Sequence, residues 1–283
     1  MAINWYPGHM HKANKELAKL LPGCKLVIEV LDARIPAASS NPKLDELCRD
    51  LPRLKILNKA DLADPEVVNE WQECFNKLPR CYCLQSSLER RLEKSDLLNA
   101  IARLGLETAD GRSGQIVIVG IPNVGKSTLL NHLAGRKLAR TGNEPAVTKG
   151  QQRIRLDDHW YLVDTPGLLW PRLEDQEAAY RLAMTGTIRN TAIDLEDVAW
   201  FAAELLLRDY RSRLTERYKI PADCNDVEGC FEYIARSRGA LGRGGGPDWH
   251  KTAELLLNDL RSGKLGTLSL EKPERQSNDL PRP

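Results

Sequence analysis

The sequence contains no apolar run of roughly eighteen residues, the length a membrane-spanning helix needs. Its first stretch, MAINWYPGHMHKANKE, lacks the apolar centre of a secretory signal and the Arg/Ser-rich pattern of a transit peptide. No CxxC occurs among its seven cysteines. Cys81 and Cys83 fall in the strand-like RCYCL, and the Cys224 to Cys230 spacing matches no recurrent zinc or iron–sulfur pattern. Free thiols in a reducing compartment are therefore expected. Charge of one sign is also missing: a formal net charge of +2 neither demands nor forbids nucleic acid. What is present, 283 residues that are 42% apolar and 28% charged, suits a globular chain. That length allows a sizeable core and one medium domain plus a smaller one.

Apolar runs alternate with helical patterns through the first part of the chain. Residues 9–21 carry helical spacing in Ala13, Leu17, Leu20 and Leu21, stopped by Pro22-Gly23. Short apolar segments at 25–31, 54–58 and 81–85 predict strands, the first ending on Asp32. Asp64-Pro65 supplies a cap and a first-turn proline for a helix over 66–77. QIVIVG, residues 115–120, is the strongest buried-strand signal and feeds a Gly-rich loop and the helix STLLNHLAG. Two further strands fit at 152–156 and 160–163. This alternation predicts an α/β fold with a mainly parallel sheet covered on both faces. After residue 173 only helical patterns follow, at 195–210, 227–235 and 248–260. The expected organisation is an α/β domain over 1–175, including the N-terminal helical segment, an all-helical domain over 176–271, and a loose polar tail over 272–283.

GIPNVGKS, residues 120–127, matches GxxxxGKS between a strand and a helix, the context in which a P-loop holds phosphates. Backbone N–H groups of Asn123, Val124, Gly125, Lys126, Ser127 and Thr128 can surround them, aided by the helix N-terminus. Lys126 would reach the β- and γ-phosphates, and the Ser127 hydroxyl would ligate Mg²⁺. Asp164 closes an apolar strand in WYLVDTPG, where a carboxylate needs a metal or donors. It is expected to hold Mg²⁺, while Gly167 brings its N–H to the γ-phosphate without side-chain obstruction. Thr148 in EPAVTKG lies between these motifs and is the expected switch threonine over Mg²⁺.

Asn58, Lys59 and Asp61 form NKxD in ILNKAD, ahead of the phosphate loop rather than behind it. Guanine offers N1–H and its 2-amino group as adjacent donors, which the Asp61 carboxylate accepts together and adenine cannot imitate. Asn58 can reach N7 and tie neighbouring loops, and the Lys59 stem can cover the base. Ser86 and Ser87, in SSL after the third strand, are the remaining base-contact residues. The inverted order is compatible with one site, because ligands bind across the carboxyl ends of adjacent parallel strands whatever their order in the chain. Circular permutation has moved the base half to the front, with residues 91–115 joining it to the phosphate half.

NKAD, SSL, GIPNVGKS, Thr148 and DTPG in this order, with NWYPGHMHKA at the start, resemble the circularly permuted GTPases of the RbgA/YlqF family. DARIP at 32–36 and NTAID at 190–194 also look like pieces of that family. The resemblance covers nearly the whole chain. It implies a circularly permuted P-loop GTPase domain and a cytoplasmic protein that joins late assembly of the large ribosomal subunit. It further implies GTP hydrolysis on that particle and a helical domain that contacts ribosomal RNA. No stable membrane association is expected, and the chain is expected to act as a monomer.

Other assignments stay open at this level. Arg208, Arg211, Arg213, Arg217 and Lys219, then Arg236 and Arg238, form basic stretches that suit RNA phosphates or merely a solvated helix face. Leu168 follows the DTPG glycine where Ras-like enzymes carry glutamine, so unaided turnover should be slow. The resemblance offers His9 as the group that orients or deprotonates water; contact with RNA phosphate and a turn-stabilising role are the alternatives. Asn123 can coordinate K⁺ near the phosphates, or simply brace its loop. Catalysis is thus assigned to His9, Lys126, Thr148 and Gly167, on GTP with Mg²⁺. The competing functions are an RNA-binding or RNA-modification-associated GTP switch and a nucleotide-binding scaffold with negligible turnover.

Overall fold

The computed structural model describes residues 15–48, 50–108, 113–135, 153–165 and 175–273. Residues 15–20 are helical (α1) and lead through the Leu21–Gly23 turn into β1 (Cys24–Asp32). Two short helices, α2 (Pro36–Ser39) and α3 (Pro42–Leu47), precede β2 (Arg53–Asn58). Then come α4 (Pro65–Asn76), β3 (Cys81–Gln85), α5 (Lys94–Arg103), β4 (Gly114–Gly120) and α6 (Lys126–Ala134). The sheet ends with β5 (Arg153–Arg155) and β6 (Trp160–Asp164).

Among the described residues the sheet has the order β3-β2-β1-β4-β6-β5, parallel except for the β5–β6 pair. β1 is buried along its length apart from Lys25, as suits a central strand whose apolar residues are interrupted only by Glu29 and Asp32, both buried in ion pairs. It separates β2, which delivers NKAD, from β4, which delivers the P-loop. Both motifs therefore leave the same edge of the sheet on either side of one strand. β5 is a three-residue edge strand with exposed arginines at both ends, a shape that discourages further pairing.

Alternate side chains of the strands enter different layers. Leu26, Ile28, Ile116 and Ile118 meet Leu97 and Ile101 of α5 and Leu129 and Leu133 of α6. On the opposite face Val27, Val117 and Val119 pack with Leu17 and Leu44, and Leu31 and Leu57 with Val68, Trp71 and Phe75 of α4. The first of these layers continues without interruption into the helices that follow, α7 (Gln176–Met184), α8 (Leu195–Asp209), α9 (Arg211–Tyr218), α10 (Val227–Arg238) and α11 (Trp249–Arg261). Side chains of Asp175, Asp194, Asp226 and Asp248 accept backbone N–H bonds at the starts of α7, α8, α10 and α11.

After α11 the chain returns to the α/β layer as a strap. Leu268 N–H donates to Leu62 O at 2.9 Å and Leu270 N–H to Arg34 O at 2.8 Å. The Glu271 carboxylate accepts from Ala37 N–H at 2.8 Å and Ala38 N–H at 3.1 Å. Of the expected tail, residues 274–283 lie outside the described residues. No helix of the described residues is long and apolar enough to cross a membrane.

β1 and β2 are also joined by charge. Glu29 and Lys55 are registered partners, and their buried side chains form an ion pair. Glu29 further accepts from Ser40 Oγ at 3.1 Å and Asn41 N–H at 3.0 Å, so the pair also holds the segment before α3. Removing one partner leaves a buried charge, so Lys55→Met should cost about 3–5 kcal/mol in urea unfolding. The Glu29→Gln, Lys55→Met double variant should recover more than half of that loss.

Candidate functional site

The loops after β2, β3 and β4 and the ends of α7 and α11 enclose a cavity of ≈ 890 Å³. That volume is in the range of small-molecule sites. At one end, Lys59 adopts a left-handed conformation (φ 59°), which turns the chain into the Ala60–Leu62 turn and brings Asp61 to the cavity. Ala60 N–H donates to Ser86 O at 3.0 Å and Ser86 N–H to Leu57 O at 2.9 Å, tying the Ser86-Ser87 loop to NKAD. Asp61 is exposed, and among the described residues its carboxylate takes no hydrogen bond. It is a free acceptor pair facing a cavity.

The phosphate end is built from close backbone approaches. A Cβ on Gly120 would lie 2.9 Å from Val30 O, and one on Gly125 would lie 2.2 Å from Asn58 Nδ2. Gly125 also has φ 96°, which an L side chain rarely tolerates. Its lack of a side chain lets Asn58 Nδ2 donate to Val124 O at 2.7 Å. Base loop and phosphate loop are thus joined by a direct bond. α6 begins at Lys126, so its positive end and free N–H groups face the phosphate position.

Lys126 is buried, and its ammonium donates to Asp164 Oδ1 and Thr165 O. Asp164 Oδ2 is buried without any hydrogen-bond partner. An orphaned carboxylate oxygen on the residue that Lys126 grips, with the Ser127 hydroxyl next in the chain to Lys126, supplies hard oxygen donors of the kind Mg²⁺ takes, so these residues fit that ion with waters or phosphates completing its shell.

The far wall of the cavity comes from the helical region. Asn123, itself left-handed (φ 60°), donates from Nδ2 to Gly186 O at 2.8 Å. Arg261 at the end of α11 closes the C-terminus of α7, donating to Met184 O at 3.0 Å and Ala183 O at 2.8 Å. Burial and the neighbouring Arg34 push its guanidinium down to about 10. Arg34 enters from below, paired with Asp32. Burial alone would raise the Asp32 carboxyl, but Arg34 and Lys59 outweigh it and hold the group well below the ordinary carboxylate range.

The geometry has a counterpart among known proteins. Residues 115–216 match the family model described as 50S ribosome-binding GTPase. The ribosome biogenesis GTPase A of Priestia megaterium is 39% identical over 289 residues, covering 99% of this chain and all of that protein. The chain belongs to the ribosome biogenesis GTPase A family. Mouse mitochondrial ribosome-associated GTPase 1 is 32% identical, with 95% of this chain and 90% of that protein covered. The crystal structure of GNP-bound YlqF from T. maritima superposes with a TM-score of 0.67 at 27% identity, covering 94% of this chain and 100% of that one. The fold is thus that of a circularly permuted P-loop GTPase, and the chain is a GTP hydrolase of the RbgA/YlqF type.

In this RbgA/YlqF chain, Asn58, Lys59, Asp61, Ser86, Ser87, Asn123, Gly125 and Thr128 line one cavity. Val124, Lys126, Ser127 and Asp164 do not line it; Val124, Lys126 and Ser127 belong to the same loop and helix start, and Asp164 pairs with Lys126. His9, Thr148, Gly167 and Leu168 lie outside the described residues. The basic residues of the helical region divide into two groups. Arg217 donates to Asp259 at 2.8 Å, Arg238 lies 3.5 Å from the same carboxylate, and Arg211 donates to Ala222 O, Cys224 O and Asn225. Arg213 packs beneath Gly266. Arg208 and Arg236 pair with Asp209 and Glu232 yet keep 70% of their side-chain surface open, and Lys219 is exposed.

Sequence reasoning passed over Arg34, Gly186 and Arg261 as site residues. DARIP was visible as a motif, but nothing local placed its arginine against NKAD. Gly186 and Arg261 reach the cavity through packing between distant helices.

Asp61 as the guanine acceptor leads to a specificity prediction. Asp61→Asn should cost GDP about 2–4 kcal/mol, roughly 30- to 1,000-fold in affinity, by calorimetry. Xanthine carries an oxygen where guanine has its amino group, so XDP should gain relative to GDP. Undiminished GDP preference in the variant would remove Asp61 from base recognition.

Proposed function

We propose that this GTPase binds the large ribosomal subunit or its late precursor, hydrolyses GTP to GDP and phosphate there, and leaves in the GDP state. It acts as a monomer in the cytoplasm, without stable membrane association. The observation that carries this reading is the shared cavity: the ends of α7 and α11 wall the same space as NKAD and the P-loop. A change at the phosphates can reach the helical region through Asn123 and Gly186, besides the chain segment that follows Asp164. The relatives' names, which tie them to ribosome biogenesis and to mitochondrial ribosomes, supply the partner.

The residues divide the work as follows. Asp61 and Asn58 read the base, with Lys59 over it and Ser86-Ser87 alongside. The N–H groups of residues 123–128 hold the phosphates, and Lys126 exchanges Asp164 for the β- and γ-phosphates. Ser127, Thr148 and Asp164 would hold Mg²⁺, whose chemistry there would be to neutralise charge on the phosphates. Gly167 senses the γ-phosphate. Leucine at 168 cannot orient water, so intrinsic turnover is low, and His9 takes that role on the particle. The Asn123 side-chain oxygen would be available to K⁺, which would supply positive charge where other GTPases use an arginine. Arg208, Lys219 and Arg236 are the accessible contacts for ribosomal RNA phosphates. Arg211, Arg213, Arg217 and Arg238 serve the fold first and the RNA second.

Sedimentation with purified large subunits tests the coupling. A nonhydrolysable GTP analogue should give at least about tenfold tighter binding than GDP, a difference of roughly 1.4 kcal/mol. Arg208→Ala, Lys219→Ala and Arg236→Ala together should weaken binding and flatten its salt dependence. In single-turnover assays on saturating subunits, His9→Ala should slow hydrolysis while GDP binding persists, and Na⁺ in place of K⁺ should also slow it. Equal subunit affinity in both nucleotide states would reject the switch.

A further inference from the structure

Asp32 is the last residue of β1 and faces Asn58, the last residue of β2, across the ladder. Its buried carboxylate is shared by two cations. Arg34 grips it with two parallel bonds, Nε to Oδ1 at 2.9 Å and Nη2 to Oδ2 at 2.8 Å. The Arg34 backbone N–H adds a 3.1 Å bond to Oδ1, and Lys59 Nζ donates to Oδ2 at 2.9 Å. One aspartate therefore fixes both the arginine of DARIP and the lysine of NKAD.

Arg34 is only 1% exposed, yet it lines the nucleotide cavity together with Lys59 and Asp61. Its Nη1 is buried and has no hydrogen-bond partner. A buried charged donor left unmade is costly, and such groups are characteristic of sites that complete themselves with a ligand. Among the described residues that line this cavity Asp61 carries the one carboxylate, and it faces the positive charge of Arg34 without a direct ion pair. Asp32 already has both of its oxygens occupied, whereas the Asp61 carboxylate takes no hydrogen bond among the described residues.

We propose that Arg34 is a positioning residue for guanine recognition: locked on the Asp32 carboxylate that also fixes Lys59, its buried positive charge orients the Asp61 carboxylate, across the cavity and without a direct bond, in the arrangement that accepts the base. The role suits arginine rather than lysine, because two arms of the planar fork bind Asp32 while the third stays unpaired and keeps the charge delocalised at the cavity wall. The strap adds a restraint from the helical region, since Leu270 N–H donates to Arg34 O at 2.8 Å. This inference rests on Asp61 being the guanine acceptor.

The test compares GDP with inosine diphosphate, which keeps N1–H and lacks the 2-amino group. Calorimetry would use the full chain as wild type, Arg34→Lys, the charge-neutral Asp32→Asn, Arg34→Gln pair, and Asp61→Asn as reference. Both Arg34 variants should fold and lower the GDP-to-inosine-diphosphate affinity ratio by about fivefold or more, as loss of one charge-assisted bond to the 2-amino group would. A merely structural arginine would weaken both nucleotides by one factor. An unchanged ratio in folded Arg34 variants, with a reduced ratio in Asp61→Asn, would overturn the proposal and leave the base assignment standing. An unchanged ratio in Asp61→Asn would overturn both. If neither Arg34 variant folds, the residue is a structural one and the proposal fails.

Discussion

The bond from Asn58 Nδ2 to Val124 O is the constraint on which the rest of the site depends. It joins two halves that the chain encodes in inverted order, NKAD after β2 and GIPNVGKS after β4. The bond exists because β1 alone separates those strands and because Gly125 has no Cβ to push Asn58 away. Strand adjacency explains why permutation costs the site nothing: the carboxyl edge of a parallel sheet presents its loops in spatial order, not chain order. Registered Glu29 and Lys55, and the Asp32 to Lys59 ion pair, keep β1 and β2 aligned so that the bond is made.

The helical region is a wall of the nucleotide site as well as an appendage to it. Its apolar interior is continuous with one face of the sheet. Arg261, capped against α7, stands opposite Arg34, and Gly186 accepts from the P-loop asparagine. The strap then returns to Leu62 and Arg34, residues next to the base-recognition loop. The P-loop, the base-side loops and the helical region are thereby joined at several points, each a hydrogen bond whose loss or gain is of order 1 kcal/mol, which is where the proposed coupling to nucleotide state would act. A preference of one state over another needs no more than one or two of them.

Much of this was legible in the residues. QIVIVG announces a buried strand by continuous apolar content and KLVIEVL by an apolar run interrupted at Glu29, and the ends of both carry polar motifs. The NKAD and GKS motifs point to base and phosphate chemistry from the residues alone, and the fold brings residues of both to one cavity. Among the described helices, five have no range in the residue patterns above: the short α2 and α3 between β1 and β2, α5 within the 91–115 connector, and α7 and α9 in the helical region. In α5 the Glu93 and Asp96 capping box and the Leu97 to Ile101 spacing were present, but ten residues between two nucleotide motifs were read only as a link. The basic residues were harder. Arg217 and Arg211 look identical to Arg208 and Arg236 in a charge pattern, yet the first two are consumed by Asp259 and by backbone carbonyls. A one-dimensional pattern counts charges and cannot show which are already neutralised.

The most direct test of this account is the affinity of Asn58→Ala for guanine nucleotides, measured by calorimetry alongside the melting temperature of the nucleotide-free protein. Loss of the clamp leaves Val124 O without its donor and frees the phosphate loop, which should cost about 1–3 kcal/mol, roughly 5- to 150-fold in GDP affinity. GDP and inosine diphosphate should weaken by the same factor, because Asn58 does not read the 2-amino group, and the melting temperature should move by only a few degrees. Unchanged GDP affinity in a folded Asn58→Ala protein would contradict the claim that this bond unites the two halves of the site.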